Sequence, residues 1–121
     1  MEKTIYIADD SAVTRMFITN IVKDVPSVKI FEFTNGEEVV TAIKRKIPDL
    51  LILDSVMPIK DGLSVLKELK DLNFNLPIIF CTADIQSTTK EKAIQLGISE
   101  FVNKPIQKDI IFDKVNMLLN L

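Results

Sequence analysis

Histidine is absent from these 121 residues, which removes histidine triads, histidine-ligated zinc and imidazole acid–base catalysis. Cysteine occurs once, at Cys81, so no internal disulfide can form and a reducing compartment is expected. Inside its apolar run Cys81 reads as a small core hydrophobe without a redox role. No apolar run approaches ~18 residues, so none is expected to span a membrane. The start, Met1-Glu2-Lys3-Thr4, enters a strand too early for a secretory leader. Charge of one sign is also lacking: a net −2 offers no nucleic-acid surface and no polybasic membrane patch. A cytoplasmic protein is the expectation.

What is present is ordinary globular material, 47 % hydrophobic and 26 % charged. The length suits one domain, 1–121, with a single core. Leu50-Leu51-Ile52-Leu53 runs apolar without alternation, as a strand buried on both faces of a parallel sheet does. It ends in Asp54, and Met57-Pro58 and Asp61-Gly62 then mark a loop. Strands are also expected at Thr4–Ala8, Val28–Phe33, Ile78–Cys81 and Glu100–Val102. Helices are expected between them, with Val13, Phe17 and Ile21 marking the first and Lys108–Leu119 forming the last. Thr88 and Glu91 suit a capping box at the fourth helix, and Gly97 suits its left-handed end. Five βα units with short connections predict a doubly wound, five-stranded parallel α/β sheet covered on both faces.

All strand ends of such a sheet meet on one edge, where open α/β sheets place their ligands. Asp9 and Asp10, Asp54, Thr82 and Lys104 follow strands one, three, four and five. Asp9-Asp10 has two readings, a cap for the next helix or a cation site. Adjacent carboxylates facing a third acid repel unless positive charge lies between them, and a hard cation such as Mg²⁺ answers that. Lys104 could equally be a solvated surface charge, Thr82 a β-residue at a strand end and Phe101 a core aromatic. Pro105 restrains the backbone after Lys104 and suits a cis bond.

As a set, Asp9-Asp10, Asp54-x-x-Met57-Pro58-x-x-Asp61-Gly62, Thr82-Ala83 and Lys104-Pro105 resemble the receiver (CheY-like) domain of two-component response regulators, in order and spacing over essentially the whole chain. The resemblance implies the flavodoxin-like strand order 2-1-3-4-5. It implies that Asp54 accepts a phosphoryl group from a phosphohistidine on a sensor histidine kinase. Asp10, Asp54 and the Val56 carbonyl would bind Mg²⁺ directly and Asp9 through water. Lys104 would neutralise the phosphoryl oxygens; Thr82 and Phe101 would form the switch. Val56 and Asp84, two positions after Asp54 and Thr82, would tune phosphoryl lifetime. Valine cannot orient water, so self-dephosphorylation slower than in members with an amide there is expected.

The aspartyl-nucleophile phosphatases of the haloacid dehalogenase type share this layout but need a second Asp where this chain has Val56. No output domain follows the last helix, so the expected output is protein contact through helix four, strand five and helix five. A receiver cut from a longer regulator is the other reading. Ile111, Val115 and Leu118 form the core stripe of the last helix; Ile110, Phe112 and Met117 fall off it as a partner surface. Asp9-Asp10-Ser11 followed by Arg15-Met16 resembles chemotaxis-type single-domain regulators, which implies a flagellar-switch or other effector as target. A phosphorelay shuttle and, less favoured, a small Mg²⁺-dependent aspartyl-phosphatase complete the alternatives, and a separate phosphatase is a further expected partner.

Overall fold

The computed structural model describes residues 2–84 and 86–120, so Met1, named above in excluding a leader, lies outside the described residues. Five strands and five helices alternate: β1 (Lys3–Ala8), α1 (Ala12–Val22), β2 (Val28–Phe33), α2 (Gly36–Arg45), β3 (Leu50–Asp54), α3 (Gly62–Asp71), β4 (Ile78–Thr82), α4 (Ser87–Gln95), β5 (Glu100–Asn103) and α5 (Lys108–Leu118). The sheet is parallel throughout, in the order β2-β1-β3-β4-β5. From β1 the chain winds out to β2, returns past β1 to β3, and then moves the other way. The reversal opens a crevice beyond the ends of β1 and β3.

Alternate residues of each strand point to opposite faces, and the central strands divide accordingly. Ile5, Ile7, Leu50, Ile52, Ile79 and Cys81 face α1 and α5, meeting Ile18, Ile21 and Val22 and then Ile111 and Val115. Tyr6, Ala8, Leu51, Leu53, Ile78 and Phe80 face α2, α3 and α4, meeting Val39, Val40, Ile43, Val65, Leu66 and Leu69. Burying each such aliphatic side chain stabilises the fold by about 2 kcal/mol, which is why β3 needs apolar residues on both faces. Among the described residues, no helix is long and apolar enough to cross a membrane.

The first helix forms where expected but turns Val13 and Phe17 outward, and two other local expectations are corrected. Val13 and Phe17 do not share the core stripe with Ile21: they are exposed, at 77 % and 43 %, while Ile18, Ile21 and Val22 are buried. The helix instead turns the stripe of Ile18, Ile21 and Val22, spaced i, i+3 and i+4, toward the sheet. On α5, Phe112 is half-buried against the core and not free, whereas Ile110 and Met117 are exposed. Leu119, just past the helix end, completes the buried stripe that Leu118 covers only in part. The capping box at α4 is not formed: Gln86 precedes the helix and makes no side-chain cap. The helix does end as expected, with Gly97 at φ +94° and the amides of Gly97 and Ile98 donating back to Ile94 and Ala93.

Candidate functional site

Asp9 leaves β1 and Asp54 ends β3, so the two acids flank the crevice. Asp10 stands beside them, and one carboxylate oxygen from each of the three lies within 4.8 Å of the others. Asp9 and Asp54 are buried, and Asp10 is exposed. The β1–α1 turn is held firmly. Ser11 donates its N–H to Asp9 Oδ1 at 2.9 Å and caps α1 by accepting from the Thr14 N–H. Arg15 reaches back from α1 to donate to the Asp9 carbonyl at 2.7 Å and pairs with Glu32 on β2.

Lys104 enters from the end of β5. Its ammonium bridges Asp9 Oδ2 at 3.0 Å and Asp54 Oδ1 at 2.9 Å. Its backbone N–H donates to the Thr82 carbonyl, and the Lys104–Pro105 bond is cis. Burial raises the Asp54 pKa above the ordinary carboxylate range. The Lys104 hydrogen bond opposes that rise, and the charge of Asp9 adds to it. Burial works against the Lys104 ammonium, yet its bonds to Asp54 and Asp9 outweigh this and its pKa is raised. The crevice therefore holds acids at a cost that the lysine offsets only in part.

The β3–α3 loop forms the third wall. Met57 is buried and anchors it, while Val56 is 72 % exposed at the mouth. Lys60 donates its N–H to the Pro58 carbonyl, closing a three-residue γ-turn with Ile59 at φ +70°. That conformation is strained for a β-branched residue. Two close approaches seat the loop. A Cβ at Gly62 would overlap the Asp54 carbonyl oxygen, and one at Gly36 would overlap that of Lys60. The Lys60 ammonium pairs with Glu37 of α2 and Glu68 of α3, tying the loop to both helices.

Thr82 is fully buried at the end of β4, and its Oγ1 accepts from Ser55 Oγ at 2.7 Å and from the Asp84 N–H at 3.0 Å. The Asp84 carboxylate turns toward α4, accepting from the Gln86 N–H and the Thr89 hydroxyl, which lower its pKa. Phe101 is half-buried on β5 between the Phe80 ring, 6.2 Å away, and Lys90 of α4, 5.4 Å above its ring. Cys81 is buried behind Asp54, and desolvation pushes its thiol up to about 12, so it is no nucleophile.

The fold brings Asp9, Asp10, Asp54, Thr82 and Lys104 to one edge as expected; Phe101 lies further back on β5, the strand that Lys104 follows, and Ile110 and Met117 are on α5. The sequence alone assigned no role to Ser55, Ile59 or Lys60. The β3–β4 register, with Asp54 opposite Cys81, sets Ser55 beside Thr82 and is the signal that exposes the first of these. The three carboxylates are hard oxygen donors, and Lys104 occupies one side of the cluster only. The site suits a hard divalent cation such as Mg²⁺, which takes one or two carboxylates and keeps several waters.

A doubly wound parallel sheet with three acids and a lysine at its switch-point edge defines an open-sheet α/β protein with its candidate site at the strand ends. More narrowly, the family described as the response regulator receiver domain matches residues 5–116, and the chain belongs to it. It is 37 % identical to the chemotaxis protein CheY of Bacillus subtilis over 120 residues, covering 99 % of this chain and 100 % of that one. Identity to CheY of Halobacterium salinarum is 33 % over 119 residues, covering 98 % of each. Among solved structures, the receiver domain of the Francisella response regulator 1452 superposes with a TM-score of 0.91 at 26 % identity, covering 98 % of both chains.

Proposed function

We propose that Asp54 is the phosphoacceptor of a two-component response regulator, acting as a single receiver unit over residues 1–121. The observation that carries this reading is Lys104, whose ammonium lies 2.9 Å from Asp54 and 3.0 Å from Asp9 in a crevice of converging carboxylates. An Asp54 carboxylate oxygen attacks phosphorus, the bond to the donor's imidazole nitrogen breaks, and imidazole leaves with the electron pair. Little covalent work is asked of the protein beyond in-line placement and charge neutralisation. Asp10, Asp54 and the Val56 carbonyl would hold Mg²⁺, with Asp9 reaching it through water, and the ion supplies positive charge against the phosphoryl oxygens. Lys104 supplies more charge on the other side and follows the phosphoryl group once it is attached to Asp54. Thr82 moves its hydroxyl to a phosphoryl oxygen, and Phe101 repacks beside α4.

The donor is a phosphohistidine of a sensor kinase, and its approach is over the rim of the crevice. Exposed Val13 and Phe17 of α1 line a shallow groove with Lys104, Pro105 and Ile106, and exposed Val56 and Ile59 stand at the loop opposite. Output passes through the face of α4, β5 and α5, where Ile110 and Met117 are exposed. Likeness to CheY supports a flagellar-switch or other chemosensory target in the cytoplasm; a phosphorelay shuttle is the second reading. Hydrolysis by a dedicated base is disfavoured, because Val56 stands exposed at the position where a second acid would work. Val56 and Asp84 set the lifetime instead, and no separate catalytic activity is assigned.

The test is incubation with acetyl phosphate and Mg²⁺, with and without chelator, followed by intact mass. A Mg²⁺-dependent gain of one phosphoryl group, persisting for minutes and absent in Asp54→Asn, is expected. Phosphate release without a covalent adduct would favour the phosphatase. Fast reversible exchange with a histidine phosphotransfer protein would favour the shuttle.

A further inference from the structure

Resting on the assignment of Asp54 as phosphoacceptor, we infer that Ser55 is a positioning residue that holds the Thr82 hydroxyl in its resting place and so sets the threshold of the switch. Ser55 follows Asp54 directly. The β3–β4 register places it beside Thr82, and its Oγ donates to Thr82 Oγ1 at 2.7 Å. Its backbone is pinned on both sides, the N–H donating to the Cys81 carbonyl and the C=O accepting from the Gly62 N–H, each at 2.9 Å. The serine backbone cannot follow a threonine that moves, which leaves only rotation of its hydroxyl about χ1. A Thr82 hydroxyl drawn to a phosphoryl oxygen on Asp54 therefore stretches or leaves the Ser55 bond.

The same threonine oxygen accepts from the Asp84 N–H, and the Asp84 carboxylate holds the Gln86 amide and the Thr89 hydroxyl of α4. One chain of hydrogen bonds thus runs from the residue beside the phosphoacceptor to the first turn of α4. Breaking it at Ser55 loosens Thr82 at one end and, through Asp84, the helix start at the other. The net worth of one such bond is a factor of about five in the equilibrium between resting and switched forms.

Beryllofluoride, a phosphoryl mimic that attaches to aspartate in the presence of Mg²⁺, reads that equilibrium by titration calorimetry. Ser55→Ala is expected to bind it about fivefold more tightly than the unsubstituted chain, while Ser55→Thr, which keeps a hydroxyl, restores the original affinity. In a Thr82→Ala background, Ser55→Ala is expected to change nothing, because the bond it removes is already gone. A weaker or unchanged affinity for Ser55→Ala, or the same gain without Thr82, overturns the assignment. If the unsubstituted chain binds beryllofluoride no better than Asp54→Asn, the phosphoacceptor reading itself fails, and the role of Ser55 falls with it. Thermal melting of each variant shows whether it is folded before it is titrated.

Discussion

The two faces of the sheet are built differently. Toward α1 and α5 the core is aliphatic and closed, with Ile18, Ile21, Val22, Ile111 and Val115 all buried. Toward α2, α3 and α4 it carries the aromatic residues Tyr6, Phe80 and half-buried Phe101, and its last helix is held lightly. Among the residues of α4, only Ala93 is buried. Polar contacts supply the rest of its attachment: Thr89 on Asp84, Lys90 over the Phe101 ring, and Lys70 donating to the Gln95 carbonyl. A helix tied by hydrogen bonds at its ends and one buried methyl in its last turn can shift at small cost. One packed by several isoleucines cannot. The closed face supports the site, and the lightly held face is the one free to shift.

The comparison is tested most severely by matched truncations. Ile111→Ala on the closed face is expected to lose about 3 kcal/mol in urea denaturation, through lost burial and the cavity left behind. Ala93→Gly on the other face is expected to cost only about 1 kcal/mol. It should also accelerate hydrogen exchange along α4 while α5 stays protected; equal acceleration of both helices would contradict the division.

At the crevice, Ile59→Gly relieves a β-branched residue of a left-handed φ and is expected to stabilise the chain by somewhat under about 1 kcal/mol in the same assay. The smallest effect is electrostatic. The pKa of Asp54 is raised in the folded chain by burial, so the folded state binds its proton more tightly than the unfolded state does. Below the ordinary carboxylate range both states are protonated and the difference vanishes. As pH rises through that range to the raised folded value, this part of the stability is lost. Asp54→Asn is therefore expected to raise the Tm by about 2 °C at neutral pH without Mg²⁺. The gain should shrink on acidification, and a gain that grows toward low pH would reverse the sign argued here.

Much of the site was legible because strand ends are legible. An apolar run closed by Asp54, Thr82 or Lys104 needs only a parallel sheet to bring those residues to one edge. Helix exposure was less so. The spacing of Val13 and Phe17 looks helical, but which side of α1 meets the sheet depends on the neighbouring strand. The start of α4 misled for a related reason: Thr88 and Glu91 have the residue types of a capping box, yet Asp84 captures the helix from the preceding loop through the Gln86 amide and Thr89.

What the sequence determined by itself is the set of elements, the alternation of strand and helix, and the identity of the residues at the strand ends, since periodicity and apolar runs are local properties. Tertiary structure alone decided the register that sets Ser55 beside Thr82, the close approach of Gly62 to Asp54 and the bridge of Lys104 between two acids. Those depend on distances between segments as many as 95 residues apart in the chain, which only packing can bring together.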